Sequence, residues 1–404
     1  MIVGIIGAGA SGMAAALTAS QNPRVQVMIF ERQARVGRKL QATGNGRCNL
    51  TNIHADLAGF HGEAPGFAEF ALKQYDVTDT LNWFQDMGLY TVSEASGRVY
   101  PYSDQAGSVV DVLRLSMQKS NIQLLTGFEV QKIRKDTEGF TVSNGTDSYV
   151  CHKLIIACGG LAGTKLGGSM SGYKLLSKFG HKTTRLRPAL VQLKSDWGGV
   201  MGLKGVRTNC HIEILHDGKI HSASTGELQF TEYGISGPVV FEVSRDACYG
   251  AGQWKAVIDF LPDMPSEALY HALKARRSTP HSAEELLTGI LHNRLGRMLT
   301  KAAGIYAATA IADLPDQGLM QVCCMVKQFE LSLTEPLGMD SAQVTAGGVI
   351  TEQFDPATME SKLIPGLYVC GEVLDIDGDC GGYNLQWAWS SGRLAGKCAG
   401  EVEA

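Results

Sequence analysis

Apolar residues open the chain in an unbroken run, Ile2-Val3-Gly4-Ile5-Ile6, which predicts a strand buried on both faces of a parallel sheet. The segment Gly7-Ala8-Gly9-Ala10-Ser11-Gly12 follows, and the Ala-rich residues 13–20 predict a helix. Residues 25–30 predict a second buried strand, ending at Glu31. Between residues 67 and 86 the positions Phe70, Leu72, Tyr75, Val77, Leu81, Trp83 and Phe84 predict two amphipathic helices, and residues 104–119 a further one. Residues 97–101 read as a turn into an extended stretch. Strands are expected over 124–130 and 132–134, then a hairpin of 140–142 with 149–150 around Asn144-Gly145. Residues 153–158 predict another buried strand, which ends in Gly159-Gly160.

The pattern changes after Pro188. Short alternating runs at 211–215, 227–231 and 255–259 predict an antiparallel sheet or small barrel. Residues 265–331 read as mostly helical, with helices at 266–275, 283–302 and 305–314. Gly234-Ile235-Ser236-Gly237-Pro238 reads as a tight loop, either substrate-facing or a plain structural turn. After residues 346–349 the α/β pattern returns: a strand at 366–370 ends in Gly371-Glu372, a glycine turn stands at 381–384, and residues 385–400 predict a small-residue helix. The expected domains are residues 1–188 with 347–404, a β-rich insert of 189–264 with 332–346, and a helical subdomain of 265–331.

Composition narrows the class. The chain has 404 residues, too many for one ordinary core, and a net charge of −4, which supplies no general basic footprint for nucleic acid. No run of about eighteen apolar residues occurs and no secretory signal opens the chain, so the expectation is a cytoplasmic protein with no membrane partner. Ten cysteines without a CxxC pair or metal-type spacing point to reduced thiols and no metal.

Strand, GxGxxG and helix, in that order, make a dinucleotide-binding turn. Gly7 permits the tight turn, Gly9 lets backbone approach a pyrophosphate, and Gly12 permits close helix packing, while the helix N-terminus faces the phosphates. Glu31, nineteen residues after Gly12, suits a ribose 2′-OH and disfavours a 2′-phosphate, so FAD or NAD is expected. Residues 42–52 hold Gly44 and Gly46 among polar side chains and predict a loop. Arg38, Lys39 and Arg47 would suit an anionic ligand there, or form a solvated basic loop. Glycine turns near 9, 45, 159 and 382 span the chain with one complete GxGxxG, which favours a glutathione-reductase-type FAD-binding Rossmann domain formed by both chain ends over an NAD dehydrogenase.

Five motifs carry a resemblance: Gly37-Arg38-Lys39, Gly44-x-Gly46-Arg47-Cys48-Asn49-x-Thr51-Asn52, residues 97–101, residues 358–362, and Gly371-Glu372 followed by Gly381-Gly382-Tyr383-Asn384-Leu385-Gln386-Trp387-Ala388. Together they resemble the BaiN/RdsA (YhiN-like) flavoprotein family over nearly the full length. The resemblance implies FAD, a β-barrel-like insert and a small helical insert. By motif position Gly7, Gly9, Gly12, Glu31, Arg38, Lys39, Gly160, Gly371, Glu372, Asn384 and Leu385 would contact FAD, with residues 45–49 and Gly382-Tyr383 near its ring. The candidate contact set is completed by Ala10, Ser11, Arg32, Leu40, Thr43, Gly44, Asn45, Val130, Cys158 and Gly159.

The expected activity is that of an FAD-dependent oxidoreductase delivering hydride to an activated C=C bond, with NAD(P)H as a transient donor because no second GxGxxG binds it. The resemblance adds two alternatives: conversion of ribosomal RNA uridine to dihydrouridine, with that RNA as partner, and oxygen-dependent oxidation of a small amine or amino-ketone. The acceptor is accordingly a small molecule or a nucleobase. Cys48 is a catalytic candidate because Arg47 beside it would favour thiolate, the alternative being a small buried residue. Tyr383 is a second, as a donor to a substrate carbonyl or as a packing residue.

Overall fold

The computed structural model describes residues 1–119 and 121–402. The chain divides into two compact units, Met1–Pro188 with Ala342–Ala404, and Ala189–Ser341.

In the first unit, strands β1 (Ile2–Ile6), β2 (Gln26–Glu31), β3 (Ile122–Thr126), β4 (Lys153–Ile156) and β5 (Leu367–Val369) form one sheet in the order β3-β2-β1-β4-β5. Every pairing is parallel, and central β1 sets Gly4 between Met28 and Leu154. Val3 and Ile5 are wholly buried because both faces of the sheet are covered, which is why the strand reads as a continuous apolar run. This is a Rossmann-type α/β fold, completed by a strand from the far end of the chain.

The first helix, Ala10–Ala19, and the last, Tyr383–Ala399, pack along matching rows of small residues. A Cβ on Gly392 or Gly396 would overlap the carbonyl oxygen of Ser11 or Ala15. Glycine at every fourth position thus lets two backbones meet where side chains would hold them apart. The helices expected between 67 and 86 are Glu69–Gln74 and Val77–Asp86, and a third covers Ala106–Ser116.

The second unit is an antiparallel sheet whose order is Leu193–Lys194, Gly234–Ser236, Lys219–Phe230, Arg207–His216, Trp254–Asp259 and Phe329–Leu333. Its long hairpin turns at Asp217-Gly218, both with positive φ. Cys210, Ile212 and Ile214 alternate into the core. Residues 334–337, which follow the last strand, exchange backbone bonds with Gln192 and Lys194 at the first, so the sheet is nearly closed and barrel-like.

Several expectations change. The helix expected over 283–302 is a 3₁₀ turn, Ala283–Glu285, and a separate helix, Asn293–Ala302, because Gly289 takes a φ of 80° and His292 caps the second helix. Of 305–314 only the turn Ile311–Asp313 is helical, and a helix not expected individually covers Asp316–Lys327. The supposed loop at 234–238 is the strand Gly234–Ser236 running into the helix Pro238–Val243, with the strand buried. The supposed loop at 42–52 includes a 3₁₀ turn, Thr43–Gly46, and Thr51–Asn52 paired with Arg98-Val99.

Candidate functional site

The carboxyl edge of the parallel sheet gathers most of the predicted residues. Gly7 takes a φ of 104°, and a Cβ there would stand 2.5 Å from the Ala157 carbonyl oxygen at the end of β4. Gly9 precedes the first helix in extended conformation, and no side chain caps the first turn, formed by Ala10, Ser11 and Gly12. A Cβ built on Gly9 or on Gly159 meets no protein atom within 4 Å. Open space therefore borders bare backbone at the ends of β1 and β4, and the uncapped N–H groups suit an anion. Glu31 is buried, with Oε2 accepting from Ala8 N at 2.8 Å and Oε1 from Gln33 N at 2.7 Å. Two backbone donors hold this carboxylate in place and leave further lone pairs for a hydroxyl ligand.

The late acid is equally constrained. Glu372 Oε2 accepts from Lys39 Nζ at 2.6 Å, while Oε1 accepts from Thr345 N at 3.0 Å and Thr345 Oγ1 at 3.1 Å. Thr345 Oγ1 in turn accepts from Leu161 N and Ala162 N, both at 2.9 Å. Gly160 lies so close that a Cβ would overlap the Glu372 carboxylate. Lys39, Gly160 and Glu372 are thus brought together, and Thr345 is a member that sequence reasoning missed; no motif marks it.

Gly44 and Asn45 take φ of 56° and 55°, and Thr43 Oγ1 donates to Leu40 O at 2.7 Å. The expectation of a Cys48 thiolate is corrected. Arg47 turns to Asp104 at 2.5 Å and Glu94 at 3.0 Å, above the Tyr100 ring, while Cys48 is fully buried and its thiol is pushed up to about 12 by loss of solvent. Cys48 is a neutral packing residue under the loop.

At the start of the last helix, Gly382 takes a φ of 111° where a Cβ would overlap the Thr51 backbone. Asn384 Oδ1 accepts from Gly378 N at 2.9 Å, and Nδ2 donates to Gly378 O at 2.6 Å. The Tyr383 hydroxyl donates to His54 O at 3.1 Å, and its ring meets the Phe60 edge. Gly371 packs on Ser11, and Leu385 packs partly buried against the core. Arg32 reaches the Gly167 carbonyl and Arg38 donates to Gln33 at 3.2 Å. Leu40 and Val130 side chains belong to the core, which leaves only their backbones for a ligand. Cys158 is partly buried, with its thiol pushed up to about 12 by desolvation.

One further pair lies beside Tyr383. Phe60–His61 pairs with Asp377–Gly378, Asp379 N donates to Gly59 O at 2.9 Å, and His61 Nε2 lies 2.6 Å from Asp379 Oδ1. No spacing marks it: 318 positions separate the partners. Among the described residues, no group of three or more His, Cys, Asp or Glu could hold a metal ion, and no helix is long and apolar enough to cross a membrane.

Known proteins match this chain along its whole length. A family model described as the HI0933-like protein Rossmann domain matches residues 1–398. A 3-dehydro-bile acid delta(4,6)-reductase of Clostridium scindens is 40% identical over 99% of both chains. A ribosomal RNA dihydrouridine synthase of Escherichia coli is 32% identical over 99% of this chain and 97% of its own. Among solved structures, the 3-ketosteroid delta1-dehydrogenase of Sterolibacterium denitrificans shares the fold, with a TM-score of 0.51 and 12% identity over 98% of this chain and 99% of its own.

Proposed function

This chain belongs to the HI0933-like Rossmann family and is an FAD-dependent oxidoreductase, and on that premise we propose that it reduces a carbon–carbon double bond conjugated to a carbonyl. The site accommodates the cofactor's groups: open space beside Gly9 and Gly159, an uncapped first turn for the pyrophosphate, and a tethered carboxylate for the ribose. Glu31 would hold the adenosine ribose, Ala10 to Gly12 the pyrophosphate, and Lys39 with Glu372 the chain leading to the flavin ring. When bound, the flavin supplies two-electron hydride chemistry. The N-terminus of the last helix, with the Gly382 and Tyr383 backbone, would carry the positive end of a helix dipole toward negative charge on the ring.

The observation that carries the reading is the pair of relatives. A delta(4,6)-reductase and a dihydrouridine synthase share saturation of a C=C bond next to a carbonyl, although their acceptors differ greatly in size. A nicotinamide donor would visit the acceptor's place and leave, since a second GxGxxG is absent from the sequence. In anaerobic mixing, NADH or NADPH should bleach the yellow protein, and an enone should restore the colour. Colour that neither nicotinamide removes would eliminate the donor. A second reading, favoured by the Escherichia coli relative, has ribosomal RNA as acceptor. A deletion strain with undiminished dihydrouridine in its ribosomal RNA would eliminate that one.

A further inference from the structure

We propose that His61, oriented by Asp379, donates the proton that completes double-bond reduction; this rests on the reductase reading above. Three observations place the pair. Alternation along Phe60–His61 sends Phe60 into the core and leaves the His61 side chain one-third exposed, on a ribbon just ahead of the last helix. The imidazole is held rather than loose: Nε2 is 2.6 Å from Asp379 Oδ1, and the Asp379 backbone is bonded on both sides, its N–H to Gly59 O and its carbonyl to Asn384 Nδ2 at 3.3 Å. Gly59 has no room for a side chain, since a Cβ would overlap the Tyr383 ring and lie 3.1 Å from Asp379 Oδ2. Carboxylate, imidazole and the start of the last helix therefore form one packed unit.

The other acids at this edge are poorly suited. Cys48 is sealed in the core, and the Tyr383 hydroxyl already donates to His54 O. An imidazole beside a carboxylate can be charged near neutral pH and still release its proton. The step balances. Bound and reduced, the flavin would supply a hydride, and with it two electrons, to the carbon β to the carbonyl, and the π pair would become an enolate. A ring N–H of His61 breaks as its proton bonds to the α-carbon, and water reprotonates the neutral imidazole. His61 is the catalytic residue of this step and Asp379 its positioning residue.

The test uses purified holoenzyme of wild type, H61A, H61Q, D379N and D379E, photoreduced without oxygen and mixed with 2-cyclohexen-1-one, a 3-oxo-4-ene steroid or ferricyanide. Ferricyanide takes electrons without a proton to carbon. For H61A and H61Q, reoxidation by the enone should slow about 100-fold while ferricyanide stays within about twofold, and added imidazole should recover part of the H61A rate. D379N should lose about tenfold, move the His61 ring ¹⁵N resonances of the oxidised holoenzyme, and be rescued by D379E. Enone reoxidation at the wild-type rate in H61A and H61Q overturns the proposal, as does an equal loss with both acceptors or loss of bound flavin. Wild type that ferricyanide reoxidises but neither enone does overturns the reductase reading itself.

Discussion

Lys39 Nζ meets Glu372 Oε2 at 2.6 Å across 333 positions of sequence, and Thr345 holds the other carboxylate oxygen. The ion pair ties the short helix Arg38–Ala42, which follows β2, to the strand end contributed by the distant half of the same unit. The pair is partly exposed and adds little to folding stability, but removing the ammonium takes a cation away from the proposed cofactor site, a loss of about 1.4 kcal/mol, or tenfold in FAD affinity. Lys39→Met should therefore raise the FAD dissociation constant about tenfold in a flavin-fluorescence titration, with little change in melting temperature of the apoprotein. An unchanged affinity would remove Lys39 from the cofactor site.

Gly396 on the last helix faces Ala15 on the first with no space for a Cβ. Alanine in place of glycine ordinarily strengthens a helix interior by about 1 kcal/mol. Here overpacking of about 1–3 kcal/mol should outweigh that gain. Gly396→Ala and Gly392→Ala should each lower the melting temperature by roughly 3–6 °C. Gly400→Ala, where the nearest atom is 3.0 Å away, should cost less, and an increase for Gly396→Ala would refute the close crossing.

The Glu31 carboxylate accepts from the N–H groups of Ala8 and Gln33. Glu31→Gln keeps the shape but turns one acceptor into a donor facing an N–H. The variant should bind FAD about 10–100-fold more weakly by equilibrium dialysis, corresponding to about 1.4–2.7 kcal/mol. Full affinity in this variant would mean that the ribose lies elsewhere.

Burial raises the thiols of Cys48, Cys158 and Cys370 from 9.0 to about 12. Above pH 9 the unfolded chain loses these protons while the folded chain keeps them, so folding stability falls between pH 9 and pH 12. Each thiol contributes about 1.4 kcal/mol per pH unit in that window and nothing below it. Urea midpoints should be flat in this respect up to pH 9 and then drop. Cys370→Ala should shallow the drop, and an identical slope in that variant would contradict the burial of its thiol.

Local pattern determined a great deal. The continuous apolar run of β1, the glycine turn behind it and the periodicity of residues 67–86 reveal strand, turn and helices because each depends on neighbours a few positions away. The same pattern read 283–302 as one helix, since Gly289 and the His292 cap break it without disturbing its apolar spacing. Only the tertiary structure decided which way Arg47 points, that Thr345 braces Glu372, and that His61 meets Asp379. Those relationships join residues far apart in the chain, and their geometry comes from how the sheet and its ribbons bring the two ends together. A single sequence encodes such proximity through the whole fold and displays it at no one position.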